Sequence, residues 1–451
     1  MPAATRRRST RVVVAGAGLA GLTAARCLER AGAEVTVVEA RGRVGGRVHT
    51  ERTRLANGQH AELGADLIES EQEDVLKLAG DLQLKPVRIL RTGWGFYGTS
   101  NSGTKRIRDA PDTFAHAERF LEPEIAAYKT ADSRWDSGVA RWIARQSVNA
   151  WLGRVHADRD LSAGVRGLRG FFLADPEDLS LLPLVDQFAQ GAVPGASRMY
   201  RLQDGNDTLP SAMARELRGR LILDSAVRRV VQTPRQVRIA IEAGSLQQIT
   251  ADYVVLTLPA TTLRRVEFDP PLPPDQWRAI TTLKYGAATR VLLQFDRRFW
   301  QKFARPVAFG TDQPMGAVWD ANEQQSRSPG ILTLLAGGRA SAETRAIIKR
   351  EGWPGVTRRL AWMGTPTKLL TAMSYTWERD AWARGGYAAF DPAFDPALRD
   401  WLARPSGRLA FAGEHTSRKW QGYMSGAVES GRRAALEIAV MAGLDHTRIR
   451  A

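Results

Sequence analysis

The stretch that most constrains this chain lies near its start: Arg11-Val-Val-Val-Ala-Gly16-Ala-Gly18-Leu-Ala-Gly21, continuing through Gly32 to Glu39. Val12 to Val14 is a short β-branched run and reads as a strand. Leu19 to Arg30 carries helix formers, and Gly32 suits the end of that helix. Val35 to Val38 is a second strand, closed by Glu39. Gly16, Gly18 and Gly21 stand at GxGxxG spacing between strand and helix, the dinucleotide-binding βαβ pattern in the context it requires. Gly16 allows the sharp turn, Gly18 lets a pyrophosphate approach the main chain, and Gly21 lets the helix pack close to the sheet. The helix N-terminus offers unpaired N–H groups and a positive dipole end to phosphates. Glu39 stands where an acid accepts hydrogen bonds from ribose hydroxyls. The pattern alone leaves NAD and FAD both open.

The residues after Glu39 extend the same theme. In Ala40-Arg41-Gly42-Arg43-Val44-Gly45-Gly46-Arg47, Arg47 offers a bidentate fork and the paired glycines allow close main-chain contact. Asn57-Gly58 reads as a hairpin turn, and Gly64-Ala65 as a close approach of backbone to a flat ligand. A helix is expected over about 71–82. Residues 86–200 are aromatic (Trp94, Phe96, Tyr97, Trp135, Trp142, Trp151, Phe171, Phe172), with helical spacing over 113–165 and 175–190. They read as a helical insertion that shapes a substrate pocket, with most of these rings in the core.

Farther on, Val227–Val231 and Val237–Ile241 alternate as paired strands. Tyr253 to Leu258 is a buried strand that ends at Pro259 and returns to the first sheet. A short helix at 275–283 precedes a strand from Gly286 to Phe295 with Arg290 inside it. Further strands are expected in 315–338 and 369–377, and a helix over 341–361. Leu409 to Phe411 leads into Gly413-Glu414, a loop, and a long helix starting near Tyr423. Nucleotide-binding segments thus lie at both ends and in the middle. The fold class is α/β: a Rossmann-type domain from 11–80, 201–268 and 378–440, interleaved with a substrate domain of sheet and helices from 81–200 and 269–377. Residues 1–10 read as a disordered tail.

Composition narrows the partners. Lys and Arg outnumber Asp and Glu by 64 to 48, a net charge of +16, yet no nucleic-acid motif accompanies the charge. The single cysteine, Cys27, excludes an intrachain disulfide and any cysteine metal cluster, and the histidines show no ligand spacing. No metal is expected. No run of apolar residues is long enough to span a membrane, and no apolar leader follows the basic N-terminus, so a cytoplasmic protein is expected.

Taken together, GxGxxG, Gly42-Arg-Val-Gly-Gly-Arg47 and Phe411-Ala-Gly-Glu414 with Gly422-Tyr-Met-Ser-Gly-Ala-Val-Glu-Ser-Gly431 resemble the flavin-dependent amine oxidase family. That family includes monoamine, polyamine and L-amino-acid oxidases. The resemblance implies FAD rather than NAD. It puts Gly16, Gly18, Gly21, Glu39, Arg41, Gly45, Gly46 and Arg47 at the adenosine and pyrophosphate. Ala20, Ala40, Gly64, Ala65, Pro259, Gly413, Gly422 and Ala427 are further cofactor positions. Val227 would present its backbone to the adenine, Glu414 would contact the ribityl or phosphate region, Met424 would meet the flavin ring with its N–H, and Trp382 would pack near the flavin. Tyr387 and Tyr423 match the two aromatic walls in front of the flavin. Gly386 stands where covalently flavinylated members carry cysteine, so FAD should be non-covalent.

The family lysine that reaches flavin N5 through a water is replaced by Arg290; if the alignment slips, Lys284 plays that part itself. Arginine keeps the charge but not the shape of an ammonium. The implied activity is oxidation of an amine C–N bond to an imine by hydride transfer to flavin N5, with Arg290, Tyr387 and Tyr423 as the catalytic set and oxygen as acceptor. The alternatives are an L-amino-acid oxidase or oxidative decarboxylase, with Arg290 or Arg91 holding the carboxylate, and an FAD-dependent desaturase that uses no oxygen. The expected partners are a small amine or amino acid bound by Arg91, Tyr387 and Tyr423, and a second copy in a homodimer, with no nucleic acid and no membrane span.

Overall fold

The computed structural model describes residues 9–100, 103–189, 197–302, 308–325 and 328–450. Most of the expected N-terminal tail, residues 1–8, lies outside them. Arg11–Ala15 forms the middle of a five-stranded sheet, flanked by Glu34–Val38 and Arg220–Ile222 on one side and by Tyr253–Leu256 and Leu409–Phe411 on the other. All four pairings are parallel. Such a sheet is covered on both faces, which is why its strands read as unbroken apolar runs.

Alternation along the first strand assigns the two faces. Val12 and Val14 pack with Leu22, Leu28, Val428 and Ile438, the inner faces of helices Leu19–Arg30 and Met424–Ala442. Val13 and Ala15 pack with Val230, Ile239 and Ile241 of an antiparallel sheet. That second sheet runs in the order Ser245–Ala251, Val237–Ala243, Ala226–Gln232, Glu267–Asp269. The two helices lie close together because Gly431 has no side chain; a Cβ there would come 2.3 Å from the Ala20 carbonyl oxygen.

A seven-stranded sheet forms the other half, in the order Leu369–Thr376, Ala288–Phe295, Gly330–Gly337, Ala317–Asp320, Phe309–Thr311, Gly95–Ser100, Gly103–Asp109. Val291, Leu293 and Phe295 pack with Ile347, Val356 and Leu360 on one face. Arg290 and Leu292 therefore point to the other face, where Leu292 meets Leu55, Ala61 and Leu63. Helices spanning 110–189 cover the sheet near Trp319 and Leu335, with Phe96, Phe114 and Trp151 among their shared core.

Several expectations change. The segment 86–109, read as the start of a helical insertion, forms three strands: Pro86–Ile89, Gly95–Ser100 and Gly103–Asp109. Their pairing is settled by distant partners: Phe309–Thr311 lies parallel to Gly95–Ser100, and Met199–Leu202 antiparallel to Pro86–Ile89. Trp142 is 53 % exposed rather than core, and Arg154 lies over its ring. Asn57 and Gly58 do take left-handed φ (59° and 65°). They sit in a 3-10 turn, Ala56–Gly58, within the longer loop joining Thr50–Glu51 to Ala61–Glu62, not in a two-residue hairpin. The helix expected over 341–361 spans Arg339–Arg358 and kinks at Gly352, two residues before Pro354. Among the described residues no helix is long and apolar enough to cross a membrane, and no group of His, Cys, Asp and Glu is gathered as a metal site.

Candidate active site

The C-terminal ends of four parallel strands open onto one cavity of about 870 Å³. They deliver Gly16 and Gly18, Glu39, Thr257 to Pro259, and Gly413-Glu414 to its wall. This is where an open parallel sheet offers a ligand crevice. The three glycines divide their work as their spacing demands. Gly16 turns at φ +108°, and a Cβ on it would strike the Thr257 hydroxyl at 2.5 Å. A Cβ on Gly21 would come 1.9 Å from the Gly16 carbonyl oxygen, so Gly21 seats the helix and does not line the cavity. A Cβ on Gly18 would meet no protein atom within 4 Å, and the cavity lies beside it. The helices that start after Gly18 and Tyr423 both lack a side-chain N-cap, which leaves their first N–H groups for a ligand.

Glu39 is buried and accepts one backbone N–H on each oxygen, from Ala17 (2.7 Å) and Arg41 (2.9 Å). Burial pushes its carboxyl up and those two bonds oppose the rise. Each oxygen keeps lone-pair capacity for a ribose hydroxyl. Arg41 lines the cavity with its fork held by Asp380, at 2.8 and 2.5 Å. Asp380 also accepts from the Trp382 and Ala383 N–H groups and from the Tyr375 hydroxyl. Burial would raise the Asp380 carboxyl, but Arg41 and Tyr375 outweigh it and bring it to about 2. Trp382 lies on the wall with Arg228 over its ring at 5.5 Å.

Arg47 donates to the Gly386 carbonyl (2.9 Å) and to Glu414 (2.8 Å). Glu414 also accepts from the N–H groups of Ala388 (3.2 Å) and Gly422 (2.8 Å). It thus clasps three segments, and Arg47 holds its carboxyl low against the effect of burial. Ala20, Ala40, Gly45, Gly46, Gly64, Ala65, Val227, Pro259, Gly413, Gly422, Met424 and Ala427 all line the cavity.

At the other end, Arg290, Tyr387 and Tyr423 share the wall. Arg290 is 4 % exposed. Its guanidinium donates to the Gly64 carbonyl (2.8 Å) and the Thr333 hydroxyl (3.2 Å), stands 3.8 Å from Asp66, and lies 4.8 Å over Trp319. Burial lowers its pKa. Tyr387 donates its hydroxyl to the Phe171 carbonyl and packs its ring against Gly422, where a Cβ would sit 3.3 Å away. Tyr423 meets Trp420 edge to face at 5.6 Å. Burial raises both phenols well above their ordinary value, so both stay neutral hydroxyls. Trp94, Phe96, Phe171, Phe172 and Trp319 continue the wall in aromatic surface.

Two candidates fall away. Lys284 is paired with Asp391 at 2.5 Å and does not line the cavity, so of these two candidates only Arg290 reaches its wall. Arg91 is exposed in the loop after Pro86–Ile89 and does not line the cavity either, so it is not placed to hold a substrate carboxylate there. Sequence reasoning missed the group that fixes Arg290. Asp66 binds Arg290, Arg201 (2.6 Å) and the Trp319 indole N–H (2.9 Å), and Arg201 is fully buried. Asp66 follows Gly64-Ala65 and could have been noticed; nothing local marks Arg201 or Trp319. Glu69 and Arg399, both on the wall, were also missed.

A parallel sheet with GxGxxG and a buried glutamate at its strand ends, joined to a second sheet over an aromatic cavity, is the architecture of a dinucleotide-binding protein. The comparisons agree. The model of the flavin containing amine oxidoreductase family matches residues 19–439. A Mycobacterium tuberculosis protein named as a candidate flavin-containing monoamine oxidase, AofH, is 30 % identical, covering 95 % of this chain and 96 % of its own. The flavin-dependent L-tryptophan oxidase RebO of Lentzea aerocolonigenes is 29 % identical, covering 96 % and 98 %. Cyclohexylamine oxidase from Brevibacterium oxydans has the same fold, with a TM-score of 0.84 at 22 % identity over 97 % of this chain and 100 % of that one. The chain belongs to the flavin-containing amine oxidoreductase family.

Proposed function

We propose that the protein oxidises the C–N bond of an amine lacking an α-carboxylate, with non-covalent FAD. The observation that carries this reading is the pair of half-buried neutral hydroxyls, Tyr387 and Tyr423, in an aromatic cavity where Arg290 is already committed to Gly64, Thr333 and Asp66. The residues fit the cofactor: Gly18 leaves open space, Glu39 keeps acceptor capacity, and two uncapped helices aim at the cavity. Glu39, Arg41, Arg47 and the glycines would hold the nucleotide portion, and Met424 the ring. No Cys or His lines the cavity among the described residues, which supports non-covalent attachment. Bound FAD would supply the two-electron acceptor for hydride from the amine α-carbon, with oxygen as the final acceptor. The tyrosine walls exclude water and orient the amine between them. The segments 11–80, 201–268 and 378–440 would form the cofactor domain, and 81–200 with 269–377 the substrate domain. The single cysteine suits a cytoplasmic protein.

Oxidation of an L-amino acid is the second reading, favoured by Arg399. It lines the cavity 4.1 Å over Trp135 and donates to Gln421 and to the Ser417 and Arg418 carbonyls, all neutral acceptors, and no carboxylate pairs with it among the described residues. Anaerobic mixing of the holoprotein with amines and L-amino acids decides between them. Amines should bleach the flavin band and yield carbonyl products. Bleaching by L-amino acids alone, with keto acid formed, would overturn the amine reading.

A further inference from the structure

Glu69 is a carboxylate on the cavity wall that no cofactor position explains. It ends the short strand Ile68–Glu69, held antiparallel to Met199–Leu202 with Glu69 opposite Met199. It shares the cavity wall with Tyr423, one of the two walls that would flank the amine. Among the described residues no Lys or Arg pairs with it. The charged groups nearby leave it so. Arg201, on the partner strand, is turned onto Asp66. Arg198 acts on Glu71, which also lines the cavity and is hydrogen-bonded to Ser70 and Ser197. Tyr387, beyond Tyr423, is neutral. The local field at Glu69 is therefore acidic and calls for a cation from the cavity side.

An alkylamine arrives as an ammonium, because its pKa lies near ~10. Oxidation at the adjacent carbon needs the nitrogen lone pair, so one proton must leave before the C–H bond breaks. We propose that Glu69, held on the cavity wall beside Tyr423 by its strand pairing, receives the substrate ammonium and takes that proton. This rests on the reading of the protein as an amine oxidase. In the step an N–H bond breaks and a carboxyl O–H forms; no electrons are transferred, and the products are the neutral amine and neutral Glu69. Burial and the charge of Glu71 push the carboxyl up to about 7, which makes it a proton acceptor near neutrality. The same acidity works against a substrate carboxylate.

The test is the pH profile of kcat/KM for a simple alkylamine with wild type, Glu69→Gln and Glu69→Asp holoproteins of matched flavin content. Wild type should level off above about pH 7. Glu69→Gln must draw neutral amine from solution, so its kcat/KM should rise about tenfold per pH unit. Its deficit of up to about a thousandfold near pH 7 should close near pH 10. Glu69→Asp should restore a plateau, which a purely structural role would not require. A Glu69→Gln deficit that is constant with pH, or no deficit, overturns the proposal. If Glu69→Gln binds no flavin, a Glu69→Asp profile without a plateau overturns it instead. A wild type that bleaches with L-amino acids and not with amines overturns the amine reading and this proposal together. A wild type active on amines beside an unaltered Glu69→Gln profile overturns this proposal alone.

Discussion

At the end of the cavity proposed for the nucleotide, the groups that face the open space are mostly backbone: the turn at Gly16 and Gly18, the N-termini of two helices, and a glutamate fixed by two main-chain N–H groups. At the end proposed for the substrate they are side chains gathered from remote segments: Arg290, Tyr387, Tyr423, Glu69, Asp66 and Trp319 on the wall, with Arg201 behind Asp66. The first end tolerates sequence change wherever the backbone can keep its path. The second depends on charge balance inside the protein, where one missing partner leaves another charge stranded.

The largest effect should come from breaking that balance. Asp66→Asn leaves the buried Arg201 and Arg290 without their shared carboxylate. It should cost about 3–5 kcal/mol, read as a lowered denaturant midpoint. A variant as stable as wild type would mean that the buried Glu62, whose charge also favours both guanidiniums, already carries the compensation.

The nucleotide end should instead separate packing from binding. Gly21→Ala places a methyl 1.9 Å from a carbonyl oxygen. It should cost about 1–3 kcal/mol or more and yield protein without flavin. Gly18→Ala meets no protein atom, so the apoprotein should melt as wild type does while FAD affinity falls. Equal losses of stability in the two variants would refute this division.

Acid should weaken the Arg41–Asp380 clasp. The Asp380 carboxyl is depressed to about 2 from 3.8. Its contribution is therefore fully present above about pH 4 and is lost as pH falls toward 2. Asp380→Asn should flatten that part of the stability curve; an unchanged acid limb would place the sensitivity elsewhere. The smallest effect is reserved for Arg91→Ala, which should leave KM for every substrate unchanged and stability within about 0.5 kcal/mol. A raised KM for amino acids would bring Arg91 back to the site.

The contrast between the two ends also measures what could be read in advance. The βαβ unit was legible because its residues are neighbours: helix Leu19–Arg30 has the span its sequence predicts, and Gly21 packs as its position demands. Arg47 and Glu414 were legible as motif residues, but not as partners of each other, since 367 positions separate them. The strands at 86–109 were missed because their pairing depends on Met199–Leu202 and Phe309–Thr311.

By itself, then, the sequence determined the flavin-containing family and the parallel sheet with its glycine-rich turn. Glycine spacing and apolar runs act over a few residues, where covalent geometry and sterics suffice. Only the tertiary structure decided that Arg290 shares Asp66 with Arg201, that Arg91 stands outside, and that Glu69 and Tyr423 line one wall. Those outcomes depend on burial and on charges brought within a few ångströms by packing, and no local pattern encodes them.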